Sequence, residues 1–403
     1  MLFCFVTGKD NDPLEFVFGD LVNEFTEDET KVLCALTYFS LPAKVEHVAA
    51  VAGCDEESAE TALRSLANRS LVVPDTEETA FALVPMVADF LRRRKPEIVA
   101  ETGDRLEKRA YALVVENGYQ KHDNFPVLDT TWPTVAAALV RFLAGPDDRL
   151  QTVCDAIGNF LNFTGRWDEW LALSRDAEVK AVATKDFSKA GWRACDVGWV
   201  HHMRGQSAEV LACADRAEVY WGETQNSARE RAVAIRLRGI GHRLAGDYPS
   251  AIAAFLKAVE LLRSLNPESY EVASGLTSLA VAEYFSGDFD NAERDYREAL
   301  RIARTIDYHE GVATYTGNLA GVALASEDWP GAESLARESL ILSEQIGRKE
   351  LIASNCQRLA EALARQCRKS EALPHARRAV EIYTILRHPS LEKARQILAE
   401  CQS

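Results

Sequence analysis

The sequence contains no G-x-x-x-x-G-K-[ST] phosphate loop, no H-E-x-x-H and no G-x-S-x-G. Each absence removes a chemistry. The nearest approach to a phosphate loop, Thr7-Gly8-Lys9-Asp10, lacks the leading glycine and the hydroxyl residue that a Mg²⁺-nucleotide site requires, so the chain is not expected to hydrolyse ATP. The zinc-protease and hydrolase-elbow readings lose their carriers, and the adjacent His201 and His202 would project to different sides of a helix instead of converging on a metal. Nine cysteines (Cys4, Cys34, Cys54, Cys154, Cys195, Cys213, Cys356, Cys367 and Cys401) include no C-x-x-C pair, and this odd, scattered set fits free thiols in a reducing cytosol. Cys34 falls on the apolar face of the first helix and reads as a small core residue. Long apolar runs are missing: the opening MLFCFVTGKD has one of only five residues before Thr7 and Lys9, too short for a signal segment or a membrane span. Positive charge is in deficit, with 46 Lys and Arg against 61 Asp and Glu and a net charge of -15, which argues against a nucleic-acid partner. Proline is scarce at 13 residues, while 47% of residues are hydrophobic and 27% charged, the balance of a folded, helix-leaning chain. A length of 403 residues exceeds one ordinary core and fits two domains, or one domain plus a repeat array.

A repeat is present. From about residue 150 the sequence returns to one theme every 40 or 41 residues, most visibly Gly246-Asp247-Tyr248 and Gly287-Asp288-Phe289, with Asp328-Trp329 one period later. The same turn is expected at Gly165-Arg166-Trp167 and Gly205 upstream and at Cys367-Arg368-Lys369 downstream, giving six units. Seven residues before each turn stand Gly158, Gly198, Gly239, Ala280, Ala320 and Ala360, and twelve after it Ala177, Ala217, Ala258, Ala299, Ser339 and Ala379. All twelve are small. Two antiparallel helices joined by a tight turn approach closely only where the side chains at their crossing are small, so each unit is expected to be a helical hairpin. Segments such as AIAAFLKAVELLR from Ala251 and AERDYREALRIAR from Ala292 supply amphipathic second helices, which stacked neighbours bury. The pattern resembles the tetratricopeptide repeat, in its longer-helix form, over roughly residues 150–385. The first two units depart from it, with Trp170 and Val210 where later units carry Ala251, Ala292, Ala332 and Ala372.

The N-terminal third reads differently. Helix-forming runs EDETKVLCALTYF from Glu27, Val45–Val51, and EESAETALRSLANRS after Gly53 precede two β-prone runs, Leu71–Val73 and Ala80–Val84, around the polar turn PDTEET. Three helices plus a hairpin make a winged helix. Its third helix carries Glu56, Glu57 and Glu60 against Arg64 and Arg69, a poor surface for DNA. The order of elements over about residues 12–95 resembles the winged-helix segment following the nucleotide-binding core of NB-ARC-type STAND ATPases, proteins that often end in tetratricopeptide sensors. Where that family carries a nucleotide-contacting His-Asp pair, Val84-Pro85 stand here. One further helix, MVADFLRRRKPEIVAE, is expected after Pro85, then two around Arg105–Asn117 and Thr134–Leu143 separated by the loop GYQKHDNFPVLDTTWP.

The expected fold is therefore mainly α, with a lead segment over 1–26, a winged-helix domain over 27–96, a helical adaptor over 97–148, a tetratricopeptide-like superhelix over 149–386 and a capping helix over 387–403. Counted from the small residue of each unit, the first helices present Arg236, Ile240 and Arg243, then Thr277, Val281, Tyr284 and Phe285, then Thr314, Gly317 and Leu324, then Gln357, Glu361 and Arg365 to the concave face. This mixed surface suits a protein or peptide segment with apolar side chains and a carboxylate. Arg236, Ile240, Thr277 and Val281 stand where tetratricopeptide co-chaperones place a Lys/Asn dicarboxylate clamp, so a chaperone adaptor is not expected. The run Arg92-Arg93-Arg94-Lys95 is a candidate docking patch, against the simpler reading of a helix end complementing its dipole. The expectation is a non-catalytic, cytoplasmic sensor without cofactor or metal, binding a protein or peptide and relaying the event to a nucleotide-binding domain in cis or in trans. A transcriptional regulator and a plain scaffold are the alternatives.

Overall fold

Helix α1 (Glu27–Leu36) opens on a capping box: the Thr26 hydroxyl accepts from the Glu29 N–H (3.1 Å) and the Glu29 carboxylate accepts from the Thr26 N–H (3.0 Å). Glu29 is itself buried and receives hydrogen bonds from Ser65 of α3 (Glu56–Asn68) (2.8 Å) and from Arg69, the C-cap of that helix (3.0 Å), so one carboxylate both starts α1 and ties it to α3. Helix α2 (Val45–Ala52) lies between them and ends on Gly53 at φ 77°. The computed structural model describes residues 24–224, 228–386, 388 and 390–403 and divides into two compact units, residues 1–189 and 190–403. Nearly all of the lead segment expected over residues 1–26 lies outside the described residues.

In the first unit, strands β2 (Val72–Pro74) and β3 (Ala80–Leu83) pair antiparallel with Val72 opposite Leu83. The Asp75 carboxylate closes their turn, accepting from the Thr79 and Ala80 N–H groups (2.8 and 3.2 Å). A two-residue strand β1 (Ala43–Lys44) adds to the other edge of β3, giving the order β1-β3-β2; two residues are too few to carry an alternation that could have announced it.

Two expectations for the segment after β3 are corrected. The single helix expected from Met86 is two, α4 (Pro85–Arg94) and α5 (Pro96–Asn117), because Pro96 lacks an N–H and forces Lys95 out of helical geometry (φ −128°, ψ 46°). The loop expected to hold FPVLDTTWP is instead the start of α6 (Phe125–Ala144), which tolerates Pro133 internally; it buries Phe125, Leu128 and Trp132, and the Phe125 and Trp132 rings pack on Phe160 at 5.6 and 5.5 Å. Helix α5 docks onto the preceding helices through Arg105, which donates to the Val51 and Ala52 carbonyls at the end of α2 (3.0 and 2.9 Å). A hairpin, α7 (Asp147–Thr164) and α8 (Trp167–Ala183), follows in this unit.

Helix α9 (Phe187–Met203) spans the division. The second unit continues with α10 (Ser207–Gly222), α11 (Ala228–Leu244), α12 (Tyr248–Leu265), α13 (Tyr270–Ser286), α14 (Phe289–Thr305), α15 (His309–Ala325), α16 (Trp329–Ile346), α17 (Lys349–Arg365), α18 (Lys369–Leu386) and α19 (Leu391–Gln402). From α10 onward each helix packs on the next, and α11 also meets α13, α15 meets α17, and α17 meets α19, so alternate helices form a layer of their own. Helix α19 lays Ala394, Ile397 and Cys401 against the core formed by α17 and α18.

Every hairpin turn has the same conformation. Gly165, Gly205, Gly246 and Gly287 have φ of 75°, 70°, 80° and 88°, and Glu327 and Cys367, at the equivalent positions, take 61°. That left-handed region favours glycine, and the two substituted units keep it. At the crossings Ala280, Ala320, Ala360 and the small residues twelve after each turn are fully buried. At Gly239 the constraint is tight, since a Cβ there would come within 2.7 Å of the Phe255 ring and would have to displace it. The Trp170 departure is accommodated in the first unit by its partner: the indole lies 3.6 Å from where a Cβ on Gly158 would stand.

Nothing surrounds the turn glycines within 4 Å of a Cβ position, so the turn residue is chosen by backbone conformation alone. Replacing Glu327 or Cys367 with glycine is therefore expected to raise stability in urea unfolding by about 0.5–1 kcal/mol, the relief of a left-handed residue less the added unfolded-chain entropy. Gly239→Ala, by contrast, is expected to cost about 1–3 kcal/mol through overpacking against Phe255.

Candidate ligand-binding groove

The layer of first helices in the second unit carries polar side chains that its own packing does not satisfy. Arg236 and Arg243 are seven residues apart on α11 and share a face, since two helical turns bring residues into line. Arg236 is half-buried; its guanidinium lies over the Trp199 ring at 5.4 Å and donates to the Ser274 hydroxyl (2.6 Å). Arg358 of α17, also half-buried, reaches Asn318 and Asn355 (3.4 and 3.5 Å) and lies over α15, with its Nε 3.4 Å from a Cβ position on Gly321. Asn355 is fixed from behind by a buried chain: it donates to the Ser343 hydroxyl (3.0 Å), Ser343 donates to the Ser339 carbonyl (2.7 Å), and Ser339 donates to the Ala313 carbonyl (2.7 Å). Arg236, Arg243 and Arg358 have no ion-pair partner among the described residues.

Tyrosines surround these arginines. Tyr315 hydrogen-bonds to Thr277 and lies within electrostatic range of Arg236, while Arg243 and Arg358 both act on the buried Tyr296. Burial holds all three guanidinium groups below the ordinary arginine pKa. It also depresses His202, helped by Arg243 and Arg236, to about 4, so this imidazole is neutral at pH 7.

The other residues expected in the groove are placed as follows. Tyr284 is half-buried and edge-on to Phe285 (5.5 Å); Phe285 is exposed and stacks on Tyr248 (6.3 Å, interplanar 9°). Thr277 donates to the Ala273 carbonyl (2.9 Å), and Gln357 is buried with its Oε1 unpaired. Glu361 pairs with Lys393 of α19 (3.2 Å), and Arg365 is exposed. Arg358 and Tyr296 were not anticipated. Arg358 stands one position from Gln357, and only its long stem over the glycines of α15 brings it into the layer. In the first unit, Arg92 pairs with Asp89 (3.2 Å) and donates to the Thr37 carbonyl (2.8 Å), Arg93 donates to the Asp89 carbonyl (3.3 Å), and Arg94 and Lys95 close the end of α4. Among the described residues no group of His, Cys, Asp and Glu is placed to hold a metal, and no helix is long and apolar enough to cross a membrane.

Fold and face together define a tandem helical-hairpin protein with a polar, arginine-bearing inner layer. Residues 230–305 and 311–385 match the tetratricopeptide repeat family, and this part of the chain is built of tetratricopeptide repeats, typically a non-catalytic interaction module. No curated protein matches the sequence. Among solved structures, a Rap protein complexed with competence and sporulation factor is similar in fold, with 14% identity and a TM-score of 0.50, covering 78% of this chain and 92% of its own. BtubC from P. vanneervenii aligns at 18% identity and a TM-score of 0.47 over 55% of this chain and 94% of its own. A STAND protein with a tetratricopeptide repeat sensor from Pyrococcus horikoshii aligns at 15% identity and a TM-score of 0.49 over 98% of this chain; the chain spans 62% of that protein's length.

Beside the groove, α13 and α14 hold a buried carboxyl pair, Glu283 and Asp295, with Asp295 accepting from Arg294 (2.9 Å). Glu283 Oε2 and Asp295 Oδ2 are otherwise unpaired, and one shared proton satisfies both. Burial, then the Asp295 charge, raise the Glu283 carboxyl to about 7. Because the folded state holds this proton more tightly than the unfolded chain, the contribution is full below the unfolded value near 4.5 and is lost as pH rises through about 7. Urea unfolding of the chain is expected to show lower stability at pH 8 than at pH 5, by up to about 3 kcal/mol from this group. Glu283→Gln is expected to remove that part of the pH dependence.

Proposed function

We propose that the chain is a non-catalytic sensor in which the first-helix layer of the tetratricopeptide repeats binds a protein or peptide segment. The observation that carries this reading is the set Arg236, Arg243 and Arg358, half-buried in one helical layer without a carboxylate partner. Charges desolvated without compensation cost folding free energy, and a partner that supplies the missing group recovers it. The exposed Phe285 on Tyr248 adds an apolar contact at the edge of the layer.

For the N-terminal part we infer a winged helix over 27–96, supported by three helices and an antiparallel sheet in the order β1-β3-β2, and a helical adaptor over 97–148 leading to the repeats. Its third helix is unsuited to DNA: Arg64 is paired with Glu60 and Glu78 (2.9 and 3.4 Å), and Arg69 with Glu29 (3.0 Å). A winged helix followed by repeats is the order that ends STAND ATPases, and this supports a relay to a nucleotide-binding domain in cis or in trans over the reading as a transcriptional regulator.

Selection of a random 12-residue peptide library on the full-length chain tests the groove. Enrichment of a sequence that binds the purified chain, and at least tenfold weaker binding to the double variant Arg236→Glu, Tyr284→Ala with an unchanged circular-dichroism melt, is the expected result. Enrichment of peptides that bind both proteins equally would move the site elsewhere.

A further inference from the structure

The charge pattern of the second unit states what kind of segment the groove takes. This chain is acidic, at a net -15, and several arginines of its repeats are matched to acids, on first and second helices alike. Arg301 pairs with Glu268 and Glu298 (2.7 and 3.1 Å), Arg238 with Asp215 and Glu218 (2.9 and 2.5 Å), and Arg368 with Glu333 and Glu371 (2.6 and 2.7 Å). Such pairs at exposed positions contribute little and cost little. Three arginines of the inner layer differ. Arg193 of α9 is buried and paired with Asp196 (3.1 Å), but Arg236, Arg243 and Arg358 are half-buried without an ion pair: a serine, two asparagines and an indole face meet the guanidinium groups of Arg236 and Arg358, and Glu271 and Glu361 act on these two only from beyond ion-pair distance. Arg358 is positioned through Asn355 by the buried Ser343–Ser339 chain, so its fork is oriented before any ligand arrives.

The depressed pKa of His202 keeps a further proton off the same surface, so at neutral pH the fixed positive charge is that of the guanidinium groups alone. A guanidinium fork recognises a planar carboxylate bidentately, and the tyrosine hydroxyls around it can donate to the same group.

Resting on the reading of the inner layer as a peptide groove, we propose that its ligand is an extended acidic peptide whose carboxylate side chains are read by Arg236, Arg243 and Arg358, two of them spaced three residues apart. The spacing follows from α11. Seven helical residues separate Arg236 and Arg243 by about 10 Å along the axis at 1.5 Å per residue, and three extended residues cover about the same length at 3.3–3.6 Å each. A segment running along α11 therefore offers a carboxylate at i to one guanidinium and at i+3 to the other. Arg358, laid across Gly317 and Gly321 of α15 and held by Asn318 and Asn355, adds a third guanidinium to the same layer.

Fluorescein-labelled 12-residue peptides of Gly, Ser and Leu, each carrying two glutamates separated by one to five positions, test this against the full-length chain by fluorescence anisotropy. The i, i+3 peptide is expected to bind best, with at least tenfold loss on Glu→Gln replacement in the peptide, loss of binding with Lys, and weakening as salt rises from 50 to 200 mM. Arg243→Met and Arg358→Met in the protein are each expected to weaken it at least tenfold. Both variants are expected to melt at or above the temperature of the parent protein, because each removes an uncompensated charge, so the loss is not one of folding. Equal binding of glutamate and glutamine peptides that is lost in the Arg236→Glu, Tyr284→Ala protein would overturn the acidic specificity and leave the groove standing. Binding of acidic peptides that ignores Arg243→Met and Arg358→Met would place the acid contacts elsewhere and overturn the assignment. Failure of this whole series, together with a peptide library that yields no groove-dependent binder, would overturn both readings.

Discussion

The close crossing of two helices at a pair of small residues is the constraint from which the repeat architecture follows. With Ala280 and Ala299, and Ala320 and Ser339, fully buried, the helix backbones of a hairpin approach closely, and the turn that joins them reverses the chain in a residue with positive φ. Small crossings leave little apolar area within one hairpin. The larger side chains Tyr296, Leu340 and Tyr383 therefore join apolar clusters that extend over neighbouring helices, and burial is shared between units. A repeat of this kind is folded by its neighbours, which is why the last one is followed by α19 and its buried Ala394, Ile397 and Cys401.

The same geometry separates the two faces chemically. Second helices lie outward and can carry paired charges in water, as Arg301 of α14 and Arg378 of α18 do. First helices lie in a layer against one another, where a long side chain has neighbours on both flanks but no room for a full hydration shell. An arginine there is costly unless its donors are met. The layer meets some of them with amides and hydroxyls, which satisfy hydrogen bonds without neutralising charge. Neutral donors and acceptors also leave the charge available to a ligand, whereas a glutamate in the place of Asn355 or Ser274 would have closed the site.

The repeat architecture was legible because it rests on residue size and backbone conformation, both written directly in the sequence. The turn at Cys367 could be placed without a glycine because Ala360 and Ala379 flank it at the right distances. Boundaries set by proline were less so: Pro96 begins a helix and Pro133 sits within one, and only the packing of Trp132 on Phe160 decides the second case. The groove was partly legible. Arg236 and Arg243 follow from helical spacing, but Arg358 depends on a stem that crosses Gly317 and Gly321 of another helix, and Tyr296 reaches Arg243 and Arg358 from a second helix. Contacts of that kind join units 40 residues or more apart and leave no local period to read.

The carboxyl pair at Glu283 and Asp295 shows that the two charge problems of the second unit have different solutions. Two acids buried side by side relieve their repulsion within the chain, by keeping a proton, because carboxyls titrate near neutrality when desolvated. Guanidinium groups have no such recourse: even with burial lowering them, arginines remain charged at any pH at which the protein is folded. Glu271 and Glu361 ease Arg236 and Arg358 only from beyond ion-pair distance, and an anion from outside the chain can pair with them directly. A surface whose charge a partner can neutralise holds free energy in reserve for binding, and that reserve is the physical reason to read the inner layer as a sensor face and not as a structural seam.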